Sequence, residues 1–258
     1  MKQSLNIVKV GGAILEDNDS LKAFTDAFAE IKGAKLLIHG GGRSATRFAS
    51  RLGIETTMVN GRRITDDAML EVVTMVYGGD VNRRLVASLQ SLSCNAIGLT
   101  GADLNLVTSR RRPPVDGIDY GNVGDVVSIN SKAFKDLLSI SAVPVIAPLT
   151  HDMNGHLLNT NADTMAGEIA SGLAGIFDVT LTFCFEKNGV LSDSTNDDSV
   201  IPLIDRQLFA RLREEKIVEG GMIPKLDNAF KAIDRGVRQV KIIHYSRIST
   251  PGAGTTIV

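Results

Sequence analysis

Cysteine is scarce in this 258-residue chain, and the two cysteines present exclude a zinc site built from thiolates. Cys94 and Cys184 lie far apart, each within an apolar segment. Thiols in such surroundings are typical of small buried core residues in a reducing compartment. We therefore expect neither a disulfide framework nor a protein metal site.

Long apolar runs and an excess of one charge sign are also absent. The chain has 28 basic and 29 acidic side chains, and its one dense basic cluster, Arg110–Arg112, is interpreted as a solvated loop. No apolar run is long enough to span a bilayer, and Asn6 and Lys9 interrupt the N-terminus before a signal-length segment develops. We expect a cytoplasmic protein with no nucleic-acid and no membrane partner.

The two standard glycine-rich phosphate motifs are missing as well. The chain contains neither G-x-x-x-x-G-K-[ST] nor G-x-G-x-x-G, which argues against a P-loop NTPase and a dinucleotide dehydrogenase. Its length and its 43% hydrophobic content are sufficient for one large domain or for two lobes that share a sheet. A phosphate enzyme of this sequence would need another way to hold phosphate.

Short apolar runs alternate with segments of helical periodicity. Residues 20–32 are predicted to form a helix, with Ser20 as its N-cap and Gly33 as its stop. Two segments, residues 54–65 and 106–130, break the alternation and are expected to form hairpins or extended strands. This pattern predicts an α/β fold with a mainly parallel sheet, whose strand-like segments are NIVKV, KLLIH, AIGL, VPVIAPL, VTLTFCF and VKIIHY.

Three consecutive glycines, residues 40–42, follow the strand-like segment around Leu36–Ile38 and precede a short helical pattern. Glycine after a strand often serves a tight turn or close packing. Three together exceed what a turn needs, and backbone N–H groups at a helix start attract anions. We therefore expect a phosphate or a carboxylate at this turn.

Two lysines and two polar segments could complete an anion site. Lys9 lies inside an apolar strand, and Lys225 lies near the start of a late helix, where a cation opposes the helix dipole. Asn159, Asn161 and Asp163 lead into another helix; one of them is expected to cap it and another to face a ligand. Arg63 follows a hairpin turn and could bind a carboxylate, although an exposed arginine is the simpler interpretation.

Six segments, taken in order, resemble the amino acid kinase family: VKVGG, HGGGR, NGRRIT, YGNVGDV, NTNAD and GGMIPK. Within the family they are most similar to the members that phosphorylate the γ-carboxylate of N-acetyl-L-glutamate with ATP, in arginine biosynthesis. The resemblance implies a three-layer αβα sandwich around an open, mainly parallel eight-stranded sheet. It places acylglutamate binding and dimerisation on residues 1–174 and ATP binding on residues 175–258.

The resemblance also implies a role for each matching residue. Lys9 and Lys225 would neutralise charge on the transferred phosphoryl group, and Asp163 would accept from both lysines. Four residues would bind the acylglutamate: Gly41, Gly42, Arg63 and Asn159. Six would contact ATP, whose phosphates would carry the Mg²⁺: Gly11, Gly12, Glu186, Gly189, Gly221 and Met222.

Two departures from the family pattern leave alternatives open. Glu186 stands where an aspartate is usual near the nucleotide, and the segment Thr100–Leu104 with the later RRRPP run could reshape the acyl pocket. A bulkier substrate such as N-succinyl-L-glutamate is therefore an alternative. A non-catalytic nucleotide-binding protein is a more distant one, which the presence of both lysines disfavours.

The resemblance further predicts a homodimer formed through the N-terminal lobe. Members inhibited by arginine tend to carry an additional helix ahead of the first strand. Here that strand begins by about Leu5, so we expect activity that is insensitive to arginine.

Overall fold

The computed structural model describes residues 2–59, 61–220 and 222–258. Its strands are β1 (Gln3–Val10), β2 (Ala34–His39), β3 (Met58–Val59), β4 (Arg62–Arg63), β5 (Ala96–Leu99), β6 (Val107–Arg111), β7 (Gly124–Ile129), β8 (Val143–Ile146), β9 (Leu149–His151), β10 (Leu157–Asn159), β11 (Phe177–Phe185), β12 (Leu203–Ile204), β13 (Gln239–His244) and β14 (Thr255–Ile257). Its α-helices are α1 (Gly12–Glu16), α2 (Asn18–Glu30), α3 (Gly42–Arg51), α4 (Asp67–Val73), α5 (Asn82–Ser91), α6 (Ser131–Ser139), α7 (Ala162–Leu173), α8 (Arg206–Glu214) and α9 (Met222–Asp234). A π-helical segment, Thr74–Val81, joins α4 to α5, and Asp103–Asn105 and Tyr245–Arg247 form 3-10 turns.

Within these described residues the central layer is an eight-stranded sheet of order β12-β14-β13-β11-β1-β2-β8-β5. Neighbouring strands run parallel except β13 and β14. The open, mainly parallel sheet predicted from the sequence is therefore confirmed. Since β1, β2, β11 and β13 run the same way, their carboxyl ends meet at one edge, where open α/β sheets bind ligands.

Helices cover both faces of the sheet, because successive side chains of a strand point to opposite faces. On β1, Leu5 and Ile7 enter a core shared with α6, α7, α8 and α9. Val8 and Val10 enter a second core shared with α1 to α5. Each fully buried aliphatic side chain contributes roughly 1.5–3 kcal/mol relative to an exposed one. The expected three-layer αβα sandwich is confirmed.

A helix exists where the sequence predicted one over residues 20–32, but the predicted start was wrong. It is α2, and the N-cap is Asp17, whose carboxylate accepts from the backbone N–H of Ser20 at 2.7 Å. Because the Asp17 carboxylate already accepts from the backbone N–H of the third helical residue, the cap is Asp17 and not Ser20. Gly33 follows the helix with φ +80°, a conformation that suits glycine.

The segments expected to form hairpins lie at the same end of the molecule as the strand ends. β3 pairs antiparallel with β4, and Asn60 of the turn lies outside the described residues. β6, β7, β9 and β10 form a separate four-stranded sheet, and Val123 forms an isolated bridge with Asn159. These pairings bring residues 61–63, 120–125 and 159–163 towards the carboxyl ends of β1 and β2.

Two features concern the environment of the chain. No helix in the described ranges combines the length and the apolar character needed to cross a membrane. Cys94 and Cys184 are buried free thiols, as expected.

Candidate active site

Two backbone turns at the carboxyl ends of β1 and β2 pack against each other. The Gly40 N–H donates to the Val10 carbonyl at 2.9 Å. A Cβ atom added to Gly12 would lie 3.3 Å from the backbone nitrogens of Gly41 and Gly42. The starts of α1 and α3 are thus in direct contact, and Gly41 serves as the N-cap residue of α3.

Of the two functions weighed from the sequence, close packing is observed at the glycines, and the turn also lines a cavity. A Cβ atom on Gly41 would lie 2.7 Å from the Tyr77 ring, so close packing by itself requires glycine there. The same packing leaves the first amide groups of α3 at a cavity that Gly40, Gly41 and Gly42 line. Because the initial N–H groups of a helix have no intrahelical partner, this wall of the cavity favours an anion.

Lys9 forms a salt bridge within the site. Its side chain is 10% exposed, and its Nζ lies 2.6 Å from Asp163 Oδ1. Asp163 is the second residue of α7, whose N-cap is Asn161, since the Asn161 side chain accepts from Thr164 N. The cap expected among the three polar residues is therefore Asn161.

Asn159 and Arg63 line the same cavity and are both buried. Asn159 Nδ2 donates to Thr65 Oγ1 at 3.0 Å. Arg63 is 6% exposed, so the exposed-hairpin interpretation is wrong. Its Nη2 donates to the Gly42 carbonyl at 2.8 Å and to Thr46 Oγ1 at 2.9 Å. Arg63 consequently ties the hairpin to the start of α3 and places a fixed positive charge beside it.

Lys225 lies on α9, close enough to the Lys9–Asp163 salt bridge for both charges to act on it. Its Nζ lies 4.0 Å from the centroid of the Phe185 ring, a cation–π contact. Burial lowers the pKa of the Lys225 ammonium, the Asp163 carboxylate opposes this shift and Lys9 adds to it. In the described part of the chain Lys225 has no salt-bridge partner. Of the two lysines expected to donate to Asp163, Lys9 forms a salt bridge with it in the described part of the chain, and Lys225 does not.

Two adjoining cavities share Gly61, Arg62, Asn161 and Asp163. The first is about 220 Å³ and holds the turn glycines. The second is about 300 Å³ and reaches Lys225. Lys9, Gly41, Gly42, Arg63 and Asn159, which the sequence singled out, are therefore brought together around the first cavity, and Asp163 lies between the two.

The residues expected to contact the nucleotide are more dispersed. Gly12 lines the first cavity, and Gly221 lies outside the described residues. A Cβ atom on Gly189 would lie 2.8 Å from Thr255 Oγ1, so β14 already requires glycine there. The remaining three, placed at the ends of β1 and β11 and at the start of α9, do not line these two cavities: Gly11, Glu186 and Met222.

His39 and Asn82 form a buried network behind the glycine turn, which the sequence reasoning missed. His39 Nδ1 lies 2.8 Å from the Gly40 carbonyl, and its Nε2 lies 3.1 Å from Asn82 Nδ2. Asn82 Nδ2 also donates to the Val145 carbonyl, so His39 Nε2 must accept and Nδ1 must donate. Burial lowers the pKa of His39 to about 4. The neutral ring therefore fixes the orientation of the Gly40 peptide.

Tyr77 and Arg62 were also missed. Tyr77 lies in the π-helical segment, a rare element often found at functional sites, and lines the first cavity. Burial raises the pKa of its hydroxyl, against the charge of Arg63. Arg62 precedes Arg63 in sequence, and this doubled arginine was the one signal in the sequence that could have identified Arg62.

No group of three or more His, Cys, Asp or Glu in the described ranges could hold a metal ion.

Comparisons with known proteins cover the whole chain. The model of the amino acid kinase family matches residues 4–244. The acetylglutamate kinase of Parabacteroides distasonis is 56% identical over 255 residues, with 99% of both chains covered. That of Phocaeicola vulgatus is 57% identical over 257 residues, which span 100% of this chain and 99% of the relative. Among solved structures, smu.665 from Streptococcus mutans UA159 is 26% identical and covers 98% of both chains with a TM-score of 0.76.

The buried His39 predicts a specific pH dependence of stability. The folded protein holds the ring neutral with a pKa of about 4, whereas an unfolded chain takes up the proton near pH 6.5. The unfolded state therefore binds more protons between these values, and the free energy of unfolding should fall by about 3 kcal/mol as the pH drops from 7 to 4. Denaturant titrations across this range measure the effect.

His39→Gln should remove this part of the pH dependence. His151→Gln, a control at a partly exposed histidine on β9, should retain it. Parallel slopes for the wild type and His39→Gln would contradict the assignment.

Proposed function

The chain belongs to the amino acid kinase family, and we propose that it transfers the γ-phosphoryl group of ATP to the γ-carboxylate of N-acetyl-L-glutamate. The product is an acyl phosphate, and the reaction is a step of arginine biosynthesis. One observation carries the proposal. Lys9, Asp163 and Arg63 surround a cavity beside the amide groups of a glycine turn, in a chain that resembles acetylglutamate kinases along its entire length.

Charge neutralisation is the main chemical task in this reaction. An anionic phosphoryl group must approach an anionic carboxylate, so catalysis consists largely of alignment and of positive charge placed around the group in flight. The acceptor carboxylate is already ionised at neutral pH and needs no general base. This agrees with a cavity whose charged wall is formed by lysine and arginine rather than by a histidine.

Lys9 and Lys225 would supply that positive charge from opposite sides. Asp163 holds the Lys9 ammonium by a 2.6 Å salt bridge, and its negative charge helps Lys225 to stay protonated against burial. A lysine over an aromatic ring has few fixed hydrogen bonds, so the Lys225 ammonium can turn towards a phosphate. The two cations would meet the transferred group at the junction of the two cavities.

The acylglutamate would occupy the first cavity. The amide groups of Gly41 and Gly42 would donate to the reacting γ-carboxylate, since they lie at the start of α3. Arg63 would attract the α-carboxylate, while its bonds to Gly42 and Thr46 keep the guanidinium in place. Asn159 would bind the α-substituent. Because each group is fixed by protein contacts before the substrate arrives, little ordering cost accompanies binding.

ATP would bind on the lobe formed by residues 175–258, with the acylglutamate on residues 1–174. The residues proposed to contact it are those at the strand ends and turns named from the sequence: Gly11, Gly12, Glu186, Gly189, Gly221 and Met222. Mg²⁺ would arrive with the nucleotide and be held chiefly by its phosphates, since magnesium retains several waters when bound.

We also propose a cytoplasmic homodimer. β5 is an edge strand of the eight-stranded sheet, Ile97 on it is 38% exposed, and Ile140, which follows α6, is exposed as well. A symmetric partner would cover this edge. Light scattering should give twice the 27.6 kDa chain mass and Ile97→Lys should halve it. A monomeric wild type would contradict the proposal.

A substrate comparison tests the proposed reaction. ATP consumption should be measured with N-acetyl-L-glutamate, free L-glutamate and L-aspartate under identical conditions. We expect turnover with the acetylated compound and little with the free amino acids, since these lack the acyl group and carry an ammonium that Lys9 and Arg63 would repel. Absence of turnover with N-acetyl-L-glutamate would refute the proposed function.

The role of Lys225 predicts a selective loss of rate. Lys225→Met should lower kcat by about 100- to 1,000-fold, since the charge acts mainly in the transition state. Methionine can still pack on Phe185, so the free energy of unfolding should change little. Lys132→Met, at a lysine that is 84% exposed, is the matched control. A near-normal kcat for Lys225→Met would remove Lys225 from the mechanism.

A further inference from the structure

Tyr77 connects the two parts of the first cavity that are proposed to hold the two carboxylates of the substrate. It is 5% exposed and lines that cavity together with Gly41, Gly42 and Arg63. Its ring carbons Cδ1 and Cε1 lie 2.7 and 2.9 Å from the position that a Cβ atom on Gly41 would take. One edge of the ring therefore touches the turn whose amide groups are proposed to bind the γ-carboxylate.

The hydroxyl of Tyr77 lies beside Arg63, at the end of the ring that points away from its own main chain. Burial raises the pKa of this hydroxyl, and Arg63 opposes the shift through its charge and through a hydrogen bond. Arginine has N–H donors and no acceptor, so the phenol oxygen accepts in this bond and keeps its own proton for donation. A carboxylate attracted by Arg63 would lie next to that proton.

Arg63 has few N–H groups left for a carboxylate. Its two terminal nitrogens carry four N–H groups, and these donate to four neutral partners: Gly42, Thr46, Thr56 and Met69. The paired N–H groups with which an arginine usually clasps a carboxylate are thus engaged by the protein. Arg63 supplies the charge for the α-carboxylate, and a second donor on the cavity wall is needed to hold the carboxylate in place.

We propose that Tyr77 is a substrate-binding residue whose hydroxyl donates to the α-carboxylate of the acylglutamate, while its ring supports the methylene groups between the two carboxylates. The inference rests on the proposed function, since it concerns the same substrate. A rigid ring with the glycine turn at one edge and a donor at its end sets a fixed separation between the two carboxylate positions. Tyr77 would therefore select the glutamate chain over chains that are one methylene shorter or longer.

Tyr77→Phe tests the hydroxyl, because phenylalanine keeps the ring against Gly41. The KM for N-acetyl-L-glutamate should rise about tenfold or more, since a hydrogen bond to a charged group is lost, while kcat and the KM for ATP stay within about twofold. The α-amide of N-acetyl-L-glutamate lacks the α-carboxylate, so its affinity should change by less than about threefold. Titration calorimetry of the acid and the α-amide with both proteins measures this difference without turnover.

Substrate length tests the ring. N-Acetyl-L-aspartate and N-acetyl-L-2-aminoadipate have one methylene fewer and one more between the carboxylates. The wild type should favour N-acetyl-L-glutamate over each by about a hundredfold in kcat/KM. Tyr77→Leu should reduce this preference to about tenfold, because leucine is shorter and leaves space under the chain, whereas Tyr77→Phe should retain it. Tyr77→Met replaces the leucine variant if circular dichroism shows that the latter is unstable.

Tyr245→Phe is the matched control. It also removes a hydroxyl that forms one hydrogen bond, to Ser20 at 3.0 Å, at a partly buried tyrosine that lines neither cavity. Its KM values and its preference for substrate length should equal those of the wild type.

Distinct outcomes would overturn the proposal. An unchanged KM for N-acetyl-L-glutamate in Tyr77→Phe, or equal losses of affinity for the acid and the α-amide, would show that the hydroxyl does not bind the α-carboxylate. A Tyr77→Leu variant with the wild-type length preference would remove the ring from specificity. A wild type that binds N-acetyl-L-glutamate without turnover would refute the proposed function instead, and the calorimetric comparison would still decide the role of Tyr77. Absence of binding would overturn both.

Discussion

The salt bridge between Lys9 and Asp163 is the contact on which the rest of the site depends. An ammonium inside a central strand is tolerated only if a charge and good geometry compensate its lost hydration. Asp163 supplies the opposite charge at 2.6 Å and ties the end of β1 to the start of α7. Removing Asp163 would leave the buried Lys9 ammonium without its charge partner, so this pair helps to fix where the two elements meet and, with them, the position of the cavity between.

Around that pair, the turn at residues 40–42 is held from three directions. Tyr77 closes on Gly41, Arg63 bonds the Gly42 carbonyl and His39 bonds the Gly40 carbonyl. Each contact uses a carbonyl or a Cα position, which leaves the amide groups at the start of α3 available to the cavity that the three glycines line. The shape of the anion site is thus set by residues that lie behind it, and a neutral His39 is part of the arrangement.

The cavity carries more positive charge than one transferred phosphoryl group needs. Lys9 is offset by Asp163, whereas Arg63 is hydrogen-bonded only to neutral groups, and Arg62 retains a buried N–H without an acceptor. An acylated glutamate offers two carboxylates. The arrangement of charges therefore serves both the reaction, which needs cations at the phosphoryl group, and the binding of these carboxylates.

Local sequence determined the strands, the parallel sheet, the glycine turn and the presence of a cap among Asn159, Asn161 and Asp163, because hydrophobic period, glycine content and capping residues act over a few positions. Ordered motifs then identified Lys9, Arg63, Asn159, Asp163 and Lys225. Only the tertiary structure decided that Lys9 takes the salt bridge while Lys225 lies on Phe185, that Arg63 is buried, and that Tyr77, His39 and Arg62 belong to the site. Those outcomes depend on distances between residues far apart in the chain and on which charges lose water together, and no local pattern records either.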